Sequence, residues 1–140
     1  MLISPNLRRL ERGGELEVEA PSRPQFVTLV RLGRSLLEDA RGDALSLEGR
    51  FSLVYGAAQA LAAAALRSQG YRAVNGSLAF ECLSETAGLS NVQLRVLELC
   101  HDRRATADRE GLLEVDERLV AEAAEVVRKL LDRLERMRLV

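Results

Sequence analysis

The chain has 140 residues, of which 47% are hydrophobic and 29% are charged, and these are the size and composition of one globular domain. Collagen-like, mucin-like and largely disordered proteins are excluded. Lys and Arg number 20 and Asp and Glu number 21, which leaves a formal net charge of -1. The molecule as a whole therefore has no field that attracts nucleic acid or an anionic membrane, and any such binding must come from a local patch.

The first 20 residues are predicted to form an N-terminal arm. A short helical pattern from Pro5 to Arg12 stops at Gly13, and acidic and apolar residues then alternate over 15–19 (ELEVE). This alternation is typical of either a docking segment or a loosely held strand. Residues 21–140 show no internal repeat and no long linker, so we expect them to form a single helical domain.

Five segments of this domain have apolar residues at three- and four-residue spacing and are bounded by capping residues or glycines. They cover 22–42, 43 or 46 to 70, 77–87, 90–110 and 116–138. No β-hairpin or βαβ pattern is present in this main body. The alanine-rich run 57–65 lets neighbours approach on several faces, which predicts a central helix. We therefore predict an all-α antiparallel bundle of four to five helices, with the pairs Glu125/Lys129 and Asp132/Arg136 on the outside of the last helix.

The cysteines and the single histidine limit the chemistry that the chain can perform. Cys82 and Cys100 are too few and too far apart for a disulfide framework, and His101 cannot complete a zinc site with them. We expect two reduced core thiols in a cytoplasmic protein, with no metal and no cofactor. The longest apolar run, 57–66, is broken by Gln59 and is too short to span a bilayer, and the first residues contain no signal-peptide core, so no membrane association is expected.

The usual catalytic motifs are absent, and one segment, 101–110 (HDRRATADRE), is unusually dense in polar residues for the end of an apolar helix. Arg104 and Asp108 are four residues apart, so a solvated ion pair is the simplest interpretation. The alternative is a phosphate or RNA site built from Arg103, Arg104 and Arg109, because guanidinium groups match phosphate oxygens. In that case His101 is the one imidazole available for proton transfer near neutral pH.

Several runs of the sequence resemble small bacterial proteins of the HEPN domain superfamily. They are 45–58 (LSLEGRFSLVYGAA), 65–72 (ALRSQGYR), 80–83 (FECL), and Arg104 with the following 110–111 (EG). The resemblance covers about residues 25–138. It implies an all-α bundle that dimerises, and an activity as a metal-independent ribonuclease or as a component of a toxin–antitoxin system, often beside a minimal nucleotidyltransferase.

The motif of this family is an arginine, usually followed by a polar residue, with a histidine four to six residues further on. The resemblance gives Arg104 the arginine position, where it would contact the phosphate. Ala105 stands where a polar residue is expected, and Arg109 stands where the nucleases have histidine. His101 precedes the arginine and does not occupy the position of the motif histidine. The general base is missing, because a guanidinium stays protonated near neutral pH.

Three functions are therefore considered. The first is a catalytically reduced HEPN-like binding or regulatory partner, homodimeric or paired with an antitoxin or a nucleotidyltransferase. The second is a ribonuclease that uses Arg103, Arg104, Arg109 and His101 in an altered arrangement. The third is a structural interaction module whose charged helix end is only surface.

Overall fold

The computed structural model describes residues 4–137 and is mostly helical. Its elements, in chain order, are α1 Pro5–Arg12, β1 Leu16–Val18, α2 Arg23–Asp39, α3 Leu47–Ser68, β2 Tyr71–Ala73, α4 Gly76–Glu81, α5 Leu83–Ala87, α6 Asn91–Glu110 and α7 Glu117–Arg136. The all-α bundle predicted from the periodicity is confirmed. None of the helices in the described part of the chain is long and apolar enough to cross a membrane.

The long helices begin where the sequence places capping residues. Ser22, Ser46, Ser90 and Asp116 each accept a hydrogen bond from the backbone N–H of the third residue that follows. Such a bond satisfies one of the orphan donors of the first helical turn. The predicted caps at Ser22 and Ser90 are present, and α3 is capped at the second of its two predicted starts, Ser46.

The alanine-rich helix α3 lies at the centre of the bundle, as predicted. It contacts α2, α4, α5, α6, α7 and β2, and all of its alanines except Ala63 are buried. Gly33 of α2 lies so close to α3 that a Cβ built on it would stand 2.6 Å from Cγ and Cδ2 of Leu61. The small residues thus set the short distance between the two helices.

The N-terminal arm packs on the bundle. Leu7, Leu10 and Leu16 are buried in the same hydrophobic core as the residues of the long helices. The strand β1 pairs with β2 in antiparallel register, with Leu16 opposite Ala73. The sequence does not predict β2, because a three-residue strand that pairs with a distant segment leaves no periodic pattern.

Two further details of the helices differ from the prediction. The segment 77–87 forms two helices, because the backbone departs from regular α-helical angles at Cys82, where φ is -82° and ψ is -3°. On α7, Glu125 pairs with Arg128 at 3.0 Å and not with Lys129, whereas the predicted pair of Asp132 with Arg136 is present at 3.4 Å. The predicted end of the last helix, at position 138, lies outside the described residues.

Candidate functional site

The charged stretch singled out in the sequence forms the C-terminal half of α6. This helix opens with the predicted capping box of Ser90 and Gln93 and ends at Gly111, which has φ 68°. His101 and Arg104 are three residues apart, and helical periodicity places them on neighbouring positions of one side. That side faces the central helix α3.

A hydrogen bond joins the two helices at this point. The hydroxyl of Tyr55 on α3 lies 2.9 Å from Nδ1 of His101. The ring of Phe80 from α4 lies 5.9 Å from both the Tyr55 ring and the His101 ring, and Phe51 stacks on Tyr55 at 5.9 Å between centroids. The imidazole is therefore held by one polar contact and by aromatic rings from two other elements.

The hydroxyl of Tyr55 can donate to Nδ1 of His101 or accept from it, according to which imidazole tautomer is present. Burial raises the pKa of Tyr55; the positive charge of Arg104 lowers it and the negative charge of Asp108 raises it, and the net shift is upward. The phenol therefore keeps its proton at neutral pH and can donate it to Nδ1 of His101. A neutral imidazole in that arrangement carries its own proton on Nε2.

The second imidazole nitrogen reaches solvent. Nε2 of His101 has no hydrogen-bond partner among residues 4–137, and no buried side-chain nitrogen or oxygen atom of these residues lacks a partner. Because His101 is only half-buried, Nε2 must keep some exposed surface. A ligand or a water molecule can therefore contact it.

Acidic residues surround the opening next to His101. A cavity of about 270 Å³ is lined by His101 together with Glu81, Glu98, Asp102 and two uncharged residues. Three carboxylates around one imidazole disfavour the approach of a phosphodiester. Within residues 4–137, no group of three or more His, Cys, Asp or Glu side chains is placed to hold a metal ion.

Arg104 forms the ion pair that its spacing predicts. Its Nε lies 3.4 Å from a carboxylate oxygen of Asp108, and the two side chains are 44% and 67% exposed. A pair this exposed contributes about 0–1 kcal/mol. An anion can therefore compete with Asp108 for Arg104 at little cost.

The structure does not bring all four predicted site residues together. Arg103 lines a different cavity, beside Glu114 and Asp116. Arg109 is exposed and forms no ion pair with any residue between 4 and 137. Only His101 and Arg104 share a site, and it is centred on Tyr55.

Tyr55 is the member of the site that lies outside the charged stretch 101–110. The apolar spacing does place its ring in the core, where it is 7% exposed. The signal for a further role is chemical, because a buried tyrosine hydroxyl needs a hydrogen-bond partner. The sequence contains no information on which residue supplies it.

Comparison with known proteins yields no match for this chain among protein-family models, curated proteins or solved structures.

The two cysteines are free and buried, and burial is the first cause that raises the pKa of Cys82 to about 12 and that of Cys100 to about 11. Both thiols stay protonated near neutral pH and are poor nucleophiles. The reactive groups of this region are therefore His101 and Arg104.

Proposed function

We propose that the chain is a HEPN-like helical protein without the general base of the nuclease members, acting as a binding or regulatory partner in a bacterial toxin–antitoxin or nucleotidyltransferase-associated system. The observation that carries the proposal is the chemistry at the end of α6. Arg109 stands at the position of the nuclease histidine, is exposed, and cannot accept a proton near neutral pH. Arg104 is retained, and its guanidinium is engaged by Asp108 at 3.4 Å.

The charge distribution around the site supports binding over cleavage. The carboxylates of Glu81, Glu98 and Asp102 line the cavity next to His101. In the charged end of α6, Arg103, Arg104 and Arg109 are balanced by three carboxylates. Affinity for RNA through counterion release should therefore be weak in the isolated chain, and assembly that joins two sets of arginines would be needed to strengthen it.

A cleavage assay tests this proposal. Purified protein is incubated with fluorescently labelled RNA in the presence of a chelator, and we expect no turnover. Any RNA binding should fall strongly between low and physiological salt. Turnover that is lost in Arg104→Ala and retained in Arg118→Ala would contradict the proposal, because Arg118 is likewise an exposed arginine with an i,i+4 partner, Glu122 at 2.9 Å.

A metal-independent ribonuclease is the second candidate, and the contact between Tyr55 and His101 favours it. In such a reaction Nδ1–H of His101 would donate to the Tyr55 oxygen, which leaves Nε2 free to take the proton of a 2′-hydroxyl. The freed oxygen would attack phosphorus, the leaving 5′ oxygen would take a proton from water, and the imidazolium would release its proton to solvent. Arg104 would stabilise the charge on the phosphate oxygens. Loss of turnover in both His101→Ala and Arg104→Ala, with the fold intact, is the result that would favour this candidate over the first.

Restoring the family motif is the converse experiment. The double variant Ala105→Asn with Arg109→His supplies the polar residue and the imidazole that this chain lacks. Gained cleavage would show that only the base is missing from a HEPN site. No gain would leave the likeness as one of fold alone.

The proposal includes a homodimer that uses the solvent face of α6. Val92 and Leu99 are seven residues apart on this helix and are 75% and 39% exposed, and Leu112 just beyond it is 54% exposed. Apolar residues at this spacing form one seam along a helix. Light scattering should give twice the chain mass, and Leu99→Glu should return the mass to that of one chain; a single-chain mass at high micromolar concentration would contradict homodimerisation and favour a different partner.

A further inference from the structure

A second cavity, with no lining residue in common with the site on α6, lies between α2, α3 and the segment from β2 to α4. Its volume is about 620 Å³, within the roughly 300–1,000 Å³ that small-molecule sites span. Its walls are mainly apolar and include Leu29 of α2, Ala63 and Leu66 of α3 and Ala79 of α4.

The cavity exists because small side chains line one part of its wall. Ala63, Ala73 and Ala79 border it together with Gly76, and a Cβ built on Gly76 would meet no atom within 4 Å. A larger side chain at any of the three alanines would occupy part of the volume. The space is therefore a property of these residues and not of a gap between loops.

The charged groups at the cavity neutralise one another. Arg67 is 5% exposed and lies 3.0 Å from a carboxylate oxygen of Glu19. Arg72 lies 3.2 Å from Glu17 and 3.5 Å from Glu19. Two arginines and two glutamates leave no net charge for a ligand to balance, so the cavity favours an uncharged molecule over an ion.

The uncharged polar groups at the cavity are available for hydrogen bonds with a ligand. Oε1 of Gln25 accepts hydrogen bonds from Nε and Nη2 of Arg67 at 3.2 and 3.1 Å, which fixes the orientation of the amide and leaves its NH₂ group as a donor. The side chains of Thr28 and Gln59 are exposed and form no hydrogen bond with residues 4–137. Polar groups of this kind around an apolar cavity provide orientation and specificity.

We propose that this cavity binds an uncharged, mostly apolar small molecule that carries an amide or a similar hydrogen-bonding group. The apolar part would contact Leu29, Ala63 and Leu66, and the polar group would bond to Gln25 and Thr28. The proposal does not depend on the function proposed for α6.

The test uses acetanilide, which combines an uncharged aromatic ring with an amide, and compares it with benzoate and benzylammonium. Binding to the full chain is followed by amide chemical shifts. We expect saturable shifts at Thr28, Gln59 and Ala73 with a dissociation constant of about 1 mM, the range expected for a fragment of this size. The two charged compounds should bind at least about tenfold more weakly.

Two variants distinguish binding in the cavity from nonspecific binding elsewhere on the protein. Ala63→Leu should weaken acetanilide binding about tenfold, whereas Ala124→Leu, the same change at a half-buried position on α7, should leave it unchanged. Thr28→Val, at an exposed position that does not threaten folding, should reduce the affinity for acetanilide but not for toluene. Absence of saturable shifts up to about 10 mM acetanilide, equal binding of all three probes, or unchanged binding in both cavity variants would overturn the proposal.

Discussion

The replacement of Gly33 by alanine tests the closest approach in the bundle. In an exposed helix interior this substitution stabilises a protein by about 1 kcal/mol, because alanine has the higher helix propensity. Gly33 is buried within α2, and its new Cβ would stand 2.6 Å from Cγ and Cδ2 of Leu61. Leu61 is 0% exposed, so it is enclosed by packed neighbours that must move with it.

The contact distance sets the expected magnitude. An ordinary carbon contact needs about 3.5–4.0 Å, so Leu61 or the whole of α2 must move by about 1 Å. Overpacking of this kind costs about 1–3 kcal/mol. Because the contact is only 2.6 Å and Leu61 is fully buried, the cost falls in the upper part of that range, about 2–3 kcal/mol. After subtraction of the gain of about 1 kcal/mol in propensity, Gly33→Ala should lower the free energy of unfolding by about 1–2 kcal/mol.

Gly56 of α3 is the matched control. A Cβ built there would have its nearest neighbour at 3.3 Å, the terminal Cδ1 of the half-buried Leu36, which can rotate away. Gly56→Ala should therefore raise the free energy of unfolding by about 0.5–1 kcal/mol. The same substitution in two helix interiors thus has opposite expected signs.

Urea denaturation of the two variants and the original chain measures both changes, and equal slopes show that the comparison concerns stability alone. In a Leu61→Ala background, Gly33→Ala should no longer destabilise, because the atoms that it meets are gone. A Gly33→Ala variant as stable as the original chain, or one that still destabilises the Leu61→Ala background to the same extent, would refute the packing of α2 on α3 described above.

Three further perturbations test the core, the attachment of the N-terminal arm and the two thiols. Leu130→Ala, at a position that is 0% exposed, should lower the free energy of unfolding by about 2–5 kcal/mol in denaturant titration, and a loss below about 1 kcal/mol would mean that the core stripe of α7 is misplaced. Arg67→Met should lower the free energy of unfolding by about 2–4 kcal/mol and expose the N-terminal arm to cleavage by trypsin. The reason is that the carbonyls of residues 19 and 20 lose their donor and the carboxylate of Glu19 loses its buried ion-pair partner. An arm that stays resistant to trypsin would contradict this role of Arg67. Burial raises the pKa of Cys82 from 9.0 to about 12 and that of Cys100 from 9.0 to about 11. Iodoacetamide should therefore label neither thiol in the folded protein near pH 8. The free energy of unfolding should fall as the pH rises above 9, because the thiols of the unfolded chain ionise before those of the folded protein. Labelling at the rate of a free thiol would disprove the burial of these two cysteines.

The helices could be predicted because their signals are local. A cap such as Ser90 with Gln93 and a stop such as Gly111 lie within a turn of the residues that they bound, so the sequence contains the whole interaction. The apolar spacing on α7 likewise identifies Val127 and Leu130, both 0% exposed. The same reasoning placed α3 at the centre from its alanines.

The features that the sequence did not predict depend on distant residues. The strand Tyr71–Ala73 is defined by its pairing with Leu16–Val18, more than 50 residues earlier, and three residues are too few for an alternating pattern. The break at Cys82 separates two short helices that both bury side chains in the core. Neither can be inferred from propensity within the segment.

The candidate site follows the same division. Arg104 and Asp108 could be predicted as a pair because they lie on one helix. The hydrogen bond between Tyr55 and His101 joins residues 46 positions apart. It holds the imidazole on the side of α6 that faces α3. The sequence located the segment, and helical spacing separates His101 and Arg104 from Arg103, whereas the contact with Tyr55 depends on the packing of α3 against α6.

The two polar side chains that matter most for the proposals, Tyr55 and Arg67, both belong to the central helix. They are twelve residues apart on α3, which corresponds to about 18 Å along the helix axis. Tyr55 holds His101 at 2.9 Å, and Arg67 orients Gln25 through two hydrogen bonds. Groups this far apart that share no partner act nearly independently. Acetanilide in the large cavity should therefore leave the amide shifts around His101 unchanged, and a substitution of Arg104 should leave acetanilide binding unchanged, so that failure of either proposal does not affect the other.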